Sequence, residues 1–256
     1  MSKKVRVSII IPAYNENERI IAVLNRISES VSLEFECLIV IDEPNDKTIE
    51  IVNNFQKDNP NFRYVPNTIG RGPADAIHTG FEVAQADVAV VTMADGSDDP
   101  QVIDQMVLLV ERGVVIASAS RYMSGGQQIG ATGLKPILSK FAGLSLKWFA
   151  RVGTHDATNS FKAYSVPFVM SVGIESEYGF ELGLELISKA RRLRKPIAEI
   201  PTIWLERFSG DSNFKLMKWL PHYALWFIFA FGKNSNVESL KSSSKRIIKF
   251  KNKFLS

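Results

Sequence analysis

The sequence predicts an α/β fold, a mostly parallel sheet with helices on both faces and an interfacial helix toward the C-terminus. Three observations carry that prediction. Short apolar runs alternate with helical patterns of about ten residues through the first half of the chain. Several of those runs stop abruptly in acidic or proline-bearing turns, as at Asp95-Gly96-Ser97-Asp98-Asp99-Pro100. A dense aromatic stretch, Trp219 to Phe231, stands apart near the end.

Val5 to Ile11 is a β-branched run ended by Pro12, so it reads as the first strand. Asn15 or Asn17 can cap a helix that carries Ile20, Ile21, Leu24 and Ile27 on one face. Glu36 to Ile41 is a second strand, and Asp46 can cap a helix over Thr48 to Phe55. Phe62 to Val65 is a third strand, and the glycine-bearing loop Asn67 to Gly72 leads into a helix over Pro73 to Ala84. Val88 to Met93 reads as a buried strand, after which Asp99 caps a helix over Pro100 to Arg112. A strand over Val114 to Ala119 follows. The second half is less regular: a helix over Leu134 to Ala150, a strand over Ser160 to Ser165, a helix over Phe180 to Arg192 and a strand over Ile197 to Trp204. Trp219 to Phe231 is too short to span a bilayer as one helix, which takes about 20 residues. Its Trp and Tyr content and flanking lysines suit a membrane interface, with a core helix or a dimer face as the alternative. The expected organisation is a domain over 1–214, an interfacial helix over 215–232 and a basic tail over 233–256, solvated unless lipid is present.

Composition narrows the class. An apolar share of 45% supports a sizeable core and excludes general disorder. The net charge is +4, yet residues from Lys233 onward carry +6, which leaves −2 for the rest. That distribution points to an anionic membrane surface and away from nucleic acid. The one cysteine, Cys37, lies in an apolar run and reads as a buried thiol, in keeping with a reducing compartment. No secretory leader is evident in the first residues, so the expected place is cytoplasmic, peripheral on the inner face of a membrane.

The chemistry-bearing residues fall where strands end. Asp95, Asp98 and Asp99 crowd the carboxyl end of a strand, the edge at which open α/β sheets bind ligands. Crowded carboxylates repel one another unless a cation or hydrogen-bond donors offset them. Tyr14 can pack on a base, while Glu16 and Asp42 can accept from base or ribose donors. Gly70 and Gly72 allow close backbone approach.

At this point the sequence resembles glycosyltransferase family 2 with the GT-A (Rossmann-like) fold. Ile10-Ile11-Pro12-Ala13-Tyr14-Asn15-Glu16 resembles the family's opening turn, and Val40 to Thr48 its acidic second-strand motif. Asn67 to Ala74 is similar to its glycine loop, and Met93-Ala94-Asp95 stands at its Asp-x-Asp position. Ser120-Arg121-Tyr122 through Gly126, Asp156 to Lys162 and Arg207 to Ser212 resemble segments of the dolichol-phosphate mannose synthase branch. The resemblance implies a GDP- or UDP-linked sugar donor held by Pro12, Ala13, Tyr14, Glu16, Asp42, Gly72, Ala74, Ala94 and Asp95. It implies Asp95 as the catalytic carboxylate and, with Asp98, as the holder of Mg²⁺ or Mn²⁺, hard cations suited to oxygen ligands. It implies an acceptor phosphate, that of a polyprenyl lipid, met by Arg121, Lys135, Ser139, Arg207 and Ser212.

Two positions depart from the family pattern: Ile41 and Met93 stand where it usually has the first acid of a pair, and Ser97 where this branch often has a metal-contacting Gln. A phosphate acceptor needs no general base, because its second pKa of about 6 leaves it largely ionised at neutral pH. For an alcohol acceptor Glu181 and Glu185, which share a helical face, are the best bases, although that spacing also describes a solvated face. His78 and His155 lack metal-ligand spacing and read as structural.

The expected reaction is inverting transfer of a hexose to a lipid phosphate, with a family-2 transferase acting on a glycan or lipid hydroxyl as the first rival. A nucleotidyltransferase would want a Gly-rich, basic loop after the first strand, where this chain has Pro12 to Glu16. A non-catalytic nucleotide-sugar-binding homologue is the third reading, suggested by Ile41 and Met93. The sequence leaves oligomeric state open, a homo-oligomer included.

Overall fold

A computed structural model describes residues 4–130, 133–206 and 216–254. Among these, seven strands form one sheet in the order β3-β2-β1-β4-β7-β5-β8. Strands β1 (Val7–Ala13), β2 (Phe35–Ile41), β3 (Phe62–Pro66) and β4 (Val88–Val91) alternate with helices α1 (Arg19–Ser30), α2 (Thr48–Gln56) and α3 (Pro73–Val83). Helix α4 (Ile103–Glu111) follows β4 through a 3-10 turn, then come β5 (Ile116–Ser120), β6 (Gln127–Ile129), α5 (Leu134–Ser145) and β7 (Lys162–Ser165). Next are α6 (Val166–Val172), α7 (Glu181–Arg192), β8 (Ile197–Pro201), β9 (Ile203–Leu205), α8 (Leu216–Ala230) and α9 (Val237–Phe254).

The parallel register β3-β2-β1-β4 brings the carboxyl ends of four strands to one rim. Strand β7 runs antiparallel to both β4 and β5. Its amino end therefore lies on that same rim. Two cores flank the sheet: Ile9, Ile11 and Cys37 face α1 and α4, whereas Ile10, Leu38 and Tyr164 face α3 and α7. The alternation of facing residues is the period of two that burial on both faces requires.

The first strand runs past Pro12 instead of stopping before it. Ile10 accepts from the Thr92 amide on the β4 side, so residue 12 faces that side too, where β4 has already ended at Val91. No partner there asks for the amide that proline lacks. The helix expected over 134–150 is α5 followed by a π-helical turn over Leu146–Ala150, which ends at Arg151 with a φ of 58°. The strand expected over 197–204 splits: β8 joins the main sheet, and β9 pairs with the unforeseen β6.

The aromatic segment forms α8, which is a packed helix. Trp226, Phe229 and Ala230 are buried against the α7 side of the core, although Ile228 and Phe231 remain exposed. The tail, expected either at a lipid surface or solvated, is helix α9, which sinks Leu240 and Ser244 into the protein. Burial on one stripe supplies what weak helix propensity in a Ser- and Lys-rich segment does not. No helix among the described residues is long and apolar enough to cross a membrane.

Candidate active site

The rim places the donor-side residues together. Pro12 and Ala13 pair in register with Val40 and Ile41, so Tyr14 and Asp42 leave adjacent strands side by side. Tyr14 is 59% exposed, which makes it a ring offered at the rim and not a core tyrosine. Asn15 takes a φ of 50°, tolerated by its short polar side chain, and its amide donates to Asp46 at 2.7 Å. Glu16 and Thr48 exchange hydrogen bonds, so the first turn is stitched to the start of α2. Asp46 also accepts from the Thr48 amide, the capping contact expected of it.

Asp42 accepts from the Asn67 side-chain amide and from the Gly72 backbone amide, each at 2.7 Å. These bonds draw the glycine loop against the end of β2. Gly72 holds φ 94° and ψ 171°, a conformation costly for other residues, and Pro73 then opens α3. Ala74 is fully buried behind it and Ala94 is buried as well.

The turn after β4 is built from its own hydrogen bonds. Asp95 Oδ1 accepts from the Ser97 amide at 3.0 Å and from its hydroxyl at 2.6 Å. Gly96 adopts a φ of 75°, and Arg26 of α1 donates to the carbonyls of Gly96 and Asp98. Asp98 turns inward, where Oδ2 accepts from Thr92 and the Met93 amide. Burial first, and the Asp95 charge second, push the Asp98 carboxyl up to about 7. Asp99 caps the following turn through Gln101. Among the described residues no three His, Cys, Asp or Glu side chains form a metal-holding group. Carboxylate oxygens such as those of Asp95 and Asp98 are of the donor type that hard cations take.

Across the rim lies a cationic cluster. Arg121 leaves the end of β5 and grips Asp156 through Nε at 2.7 Å and Nη2 at 2.9 Å, while Asp156 is fully buried. Nη2 also donates to Ser139 Oγ at 3.2 Å. That hydroxyl further meets Tyr122 at 3.1 Å and Thr158 at 2.7 Å. Burial works against the Arg121 charge, but Asp156 outweighs it and raises the guanidinium further. The Arg121 charge is felt at Asp98, so the cluster adjoins the acidic turn electrostatically. The two sides are also joined by backbone, since the Leu205 amide of β9 donates to the Ser97 carbonyl at 3.0 Å.

Of the acceptor residues read from the sequence, Arg121 and Ser139 therefore meet. Lys135 lies on α5 one turn before Ser139, and Arg207 and Ser212 lie outside the described residues. Sequence reasoning did not single out Asp156, Tyr122 or Thr158 as partners, although all three stand in segments quoted for the resemblance. The two candidate bases correct an expectation. Glu181 and Glu185 are not on a solvated face, for both are buried. Glu185 is bound to Lys189 and to the amides of Glu175 and Ser176, which leaves it no role as a base. Glu181 accepts from the Tyr178 amide through one oxygen, and its other oxygen is buried without a hydrogen-bond partner among the described residues. Burial raises its carboxyl. His155 is held by Glu199 at 2.6 Å, a structural pairing.

Helix α5 presents its other side outward. Leu134, Ile137, Leu138 and Phe141 are exposed at helical spacing, and beyond them Trp148 and Phe149 are 71% and 77% exposed. The helix sits close because a Cβ at Gly143 would come within 2.2 Å of the His155 carbonyl.

Comparison with known proteins gives the family and the fold. The family model described as Glycosyl transferase family 2 matches residues 8–171. A dolichol-phosphate mannosyltransferase of Pyrococcus furiosus is 28% identical over 215 residues, covering 82% of this chain and 59% of that protein. An undecaprenyl-phosphate mannosyltransferase of Micrococcus luteus is 28% identical, covering 81% of this chain and 87% of that protein. The chain thus spans somewhat over half the length of the first relative and most of the second. Among solved structures, glucosyl-3-phosphoglycerate synthase of Mycobacterium tuberculosis, with Mn²⁺ and UDP, is 16% identical. Its TM-score is 0.64, covering 91% of this chain and 82% of that one. A mannosyltransferase of Pyrobaculum calidifontis, with GDP-Man and Mn²⁺, has a TM-score of 0.61 at 15% identity, covering 99% and 76%. Both show the mostly parallel Rossmann-like GT-A architecture.

Proposed function

The chain belongs to glycosyl transferase family 2, and from that premise we propose that it moves a hexose from a nucleoside-diphosphate sugar to a polyprenyl phosphate at a membrane surface. The observation that carries this reading is the Arg121–Ser139–Tyr122–Thr158 cluster beside the acidic turn. A guanidinium and three hydroxyls are donors for a phosphate monoester. The names of the two curated relatives support the same acceptor.

In this reading the nucleotide lies over Tyr14 and Asp42, with its diphosphate toward Gly72 and Asp95. Asp95 and Asp98 would hold Mg²⁺ or Mn²⁺, which when bound offsets charge on the departing diphosphate. Ser97 fixes the Asp95 carboxylate through two hydrogen bonds, so its direction is set before substrate arrives. Arg121 and Ser139, with Lys135, Arg207 and Ser212, orient the acceptor phosphate. A phosphate oxygen attacks the anomeric carbon as the bond to the nucleotide diphosphate breaks, with inversion and no covalent enzyme intermediate. The acceptor brings its own ionised nucleophile, so no side chain has to take a proton.

The membrane-facing surface in this reading is the outer side of α5 with Trp148 and Phe149. Helix α8, the candidate for that role from sequence, buries one of its two tryptophans, Trp226, in the core. Ser139 faces Arg121 from the same helix that offers Leu134 and Phe141 outward, so a lipid docked there delivers its headgroup to the cluster.

The test is an acceptor scan. Purified protein with Mn²⁺ and GDP- or UDP-hexoses is offered farnesyl phosphate, glycerol lipids and soluble glycans. Glycosylated prenyl phosphate is expected, with loss of product in Arg121→Ala. Transfer to hydroxyl acceptors alone would overturn this reading and favour Glu181 as base. Nucleotide binding without turnover on any acceptor would favour a non-catalytic homologue.

A further inference from the structure

One cation in the core has no role in the reading above. Lys162 lies on β7, opposite Val91 of β4 and Ser118 of β5, and is fully buried. Its Nζ has no hydrogen-bond partner among the described residues. From α7 it is faced by Gly183, where an added Cβ would stand 3.5 Å from both Nζ and the Tyr164 hydroxyl. That helix therefore offers no side-chain acceptor at the point of contact. Its acids turn elsewhere, Glu181 to the Tyr178 amide and Glu185 to Lys189. Ser118, its in-register neighbour on β5, donates from Oγ to the Asp156 carbonyl at 3.3 Å, which brings the Asp156 loop beside Lys162. Of the charged groups there, Asp156 and Asp98 favour the Lys162 charge and Arg121 opposes it. Burial is the largest influence and brings the amine down to about 7. A buried amine without an acceptor burdens the fold, and such violations of packing rules gather at working sites. Both oxygens of Asp156 are meanwhile engaged by Arg121.

We propose that Lys162 is a positioning residue for the acceptor anion, a second cation for Asp156 that lets Arg121 share its charge with a phosphate. Without it, drawing Arg121 toward a ligand strips Asp156 of its counter-charge in a site where an unbalanced carboxylate is strongly disfavoured. With it, the carboxylate stays balanced while the guanidinium faces the anion. This inference rests on the reading that an acceptor phosphate meets Arg121. It carries a signature. A phosphate at Arg121 adds negative potential at Lys162 and favours the ammonium, so binding takes up a proton wherever Lys162 is neutral in the free protein.

Lys162→Met and Lys162→Arg test this, with farnesyl phosphate as probe and inorganic phosphate as the headgroup-only arm. Calorimetry in buffers of different ionisation heat, at about pH 6 and about pH 8, reads the proton. Wild-type protein is expected to take up more protons at the higher pH than Lys162→Met does. Comparing the two proteins cancels the probe's own titration. Lys162→Met is expected to bind farnesyl phosphate at least tenfold more weakly with the donor KM unchanged. Lys162→Arg is expected to keep the affinity and lose the extra uptake, since its charge does not titrate in this range. The same differences with inorganic phosphate support the role as one of charge, independent of the lipid tail.

Stability gives a second, separate readout. Lys162→Met is expected to raise Tm, an outcome that a supporting structural lysine does not give. The gain is flat below about pH 7 and shrinks as pH rises toward 10.5, because the unfolded lysine keeps its proton until there. A lower Tm with unchanged farnesyl phosphate affinity would overturn the inference while leaving the acceptor reading intact. Wild-type protein that binds neither probe sinks the acceptor reading, and this inference with it.

Discussion

The two sides of the rim are held by different forces. On the donor side, carboxylates are fixed by neutral donors close at hand: Asp42 by Asn67 and Gly72, Asp95 by Ser97, Asp46 by Asn15 and Thr48. On the acceptor side, buried charges hold one another, with Asp156 against Arg121. Neutral donors set the direction of a carboxylate and leave its charge available to a cation or to ligand hydroxyls. Buried ion pairs cancel charge and bind distant segments, but removing one partner strands the other. Substitutions on the donor side should therefore alter chemistry more than folding. On the acceptor side the reverse is expected.

Asp156→Ala is the most severe break, because it leaves Arg121 without its carboxylate in a site where the guanidinium is only 10% exposed. A loss of about 3–5 kcal/mol in denaturant unfolding is expected; a loss under about 1 kcal/mol contradicts the idea that charge pairing organises this side. Asp95→Asn should lower the transfer rate by about 10²–10³-fold, comparable to removal of one preorganised electrostatic group. Its Tm should stay close to wild type, and a large drop there would erase the distinction between the sides. Gly72→Ala places a side chain at φ 94°, and about 1–3 kcal/mol of strain is expected from equilibrium unfolding, with a raised donor KM. The smallest change in stability, within about 0.5 kcal/mol, is expected for Phe141→Ser with Trp148→Ser, since both are exposed. Sedimentation with vesicles of phosphatidylglycerol should nevertheless show weaker binding; unaltered binding would move the membrane-facing surface away from α5.

The donor side was largely legible in the sequence because each of its strands is one unbroken apolar run ending in a polar turn. Val88 to Val91 followed by Asp95 needs no tertiary information to place. Pro12 misled by two residues, since the reading lacked the fact that β4 stops opposite Ile10. The acceptor side was legible as residue types and not as pairs. Arg121 and Ser139 were found, yet Asp156 lies 35 residues from Arg121, and nothing local to either tells of the other. Glu181 and Glu185 illustrate the limit. Their spacing is identical for a wet helix face and for a dry one, and only α8 and the 174–180 loop, packed over α7, distinguish the two. The same packing explains α8, whose aromatic residues carry the composition of an interface helix and the burial of a core one.

Strand β7 carries a consequence for the order in which the site comes into being. Because that strand enters the sheet from the rim, the segment leading into it, not the one leaving it, supplies Asp156 and Asn159. During synthesis the residues of the donor rim emerge from the ribosome first, and Arg121 follows with no carboxylate yet made to receive it. A nascent chain with residues up to about 150 outside the ribosome should expose that guanidinium to protease, whereas one with Ser165 also outside should shelter it. The reversed strand thus makes completion of the acceptor side a late event of translation.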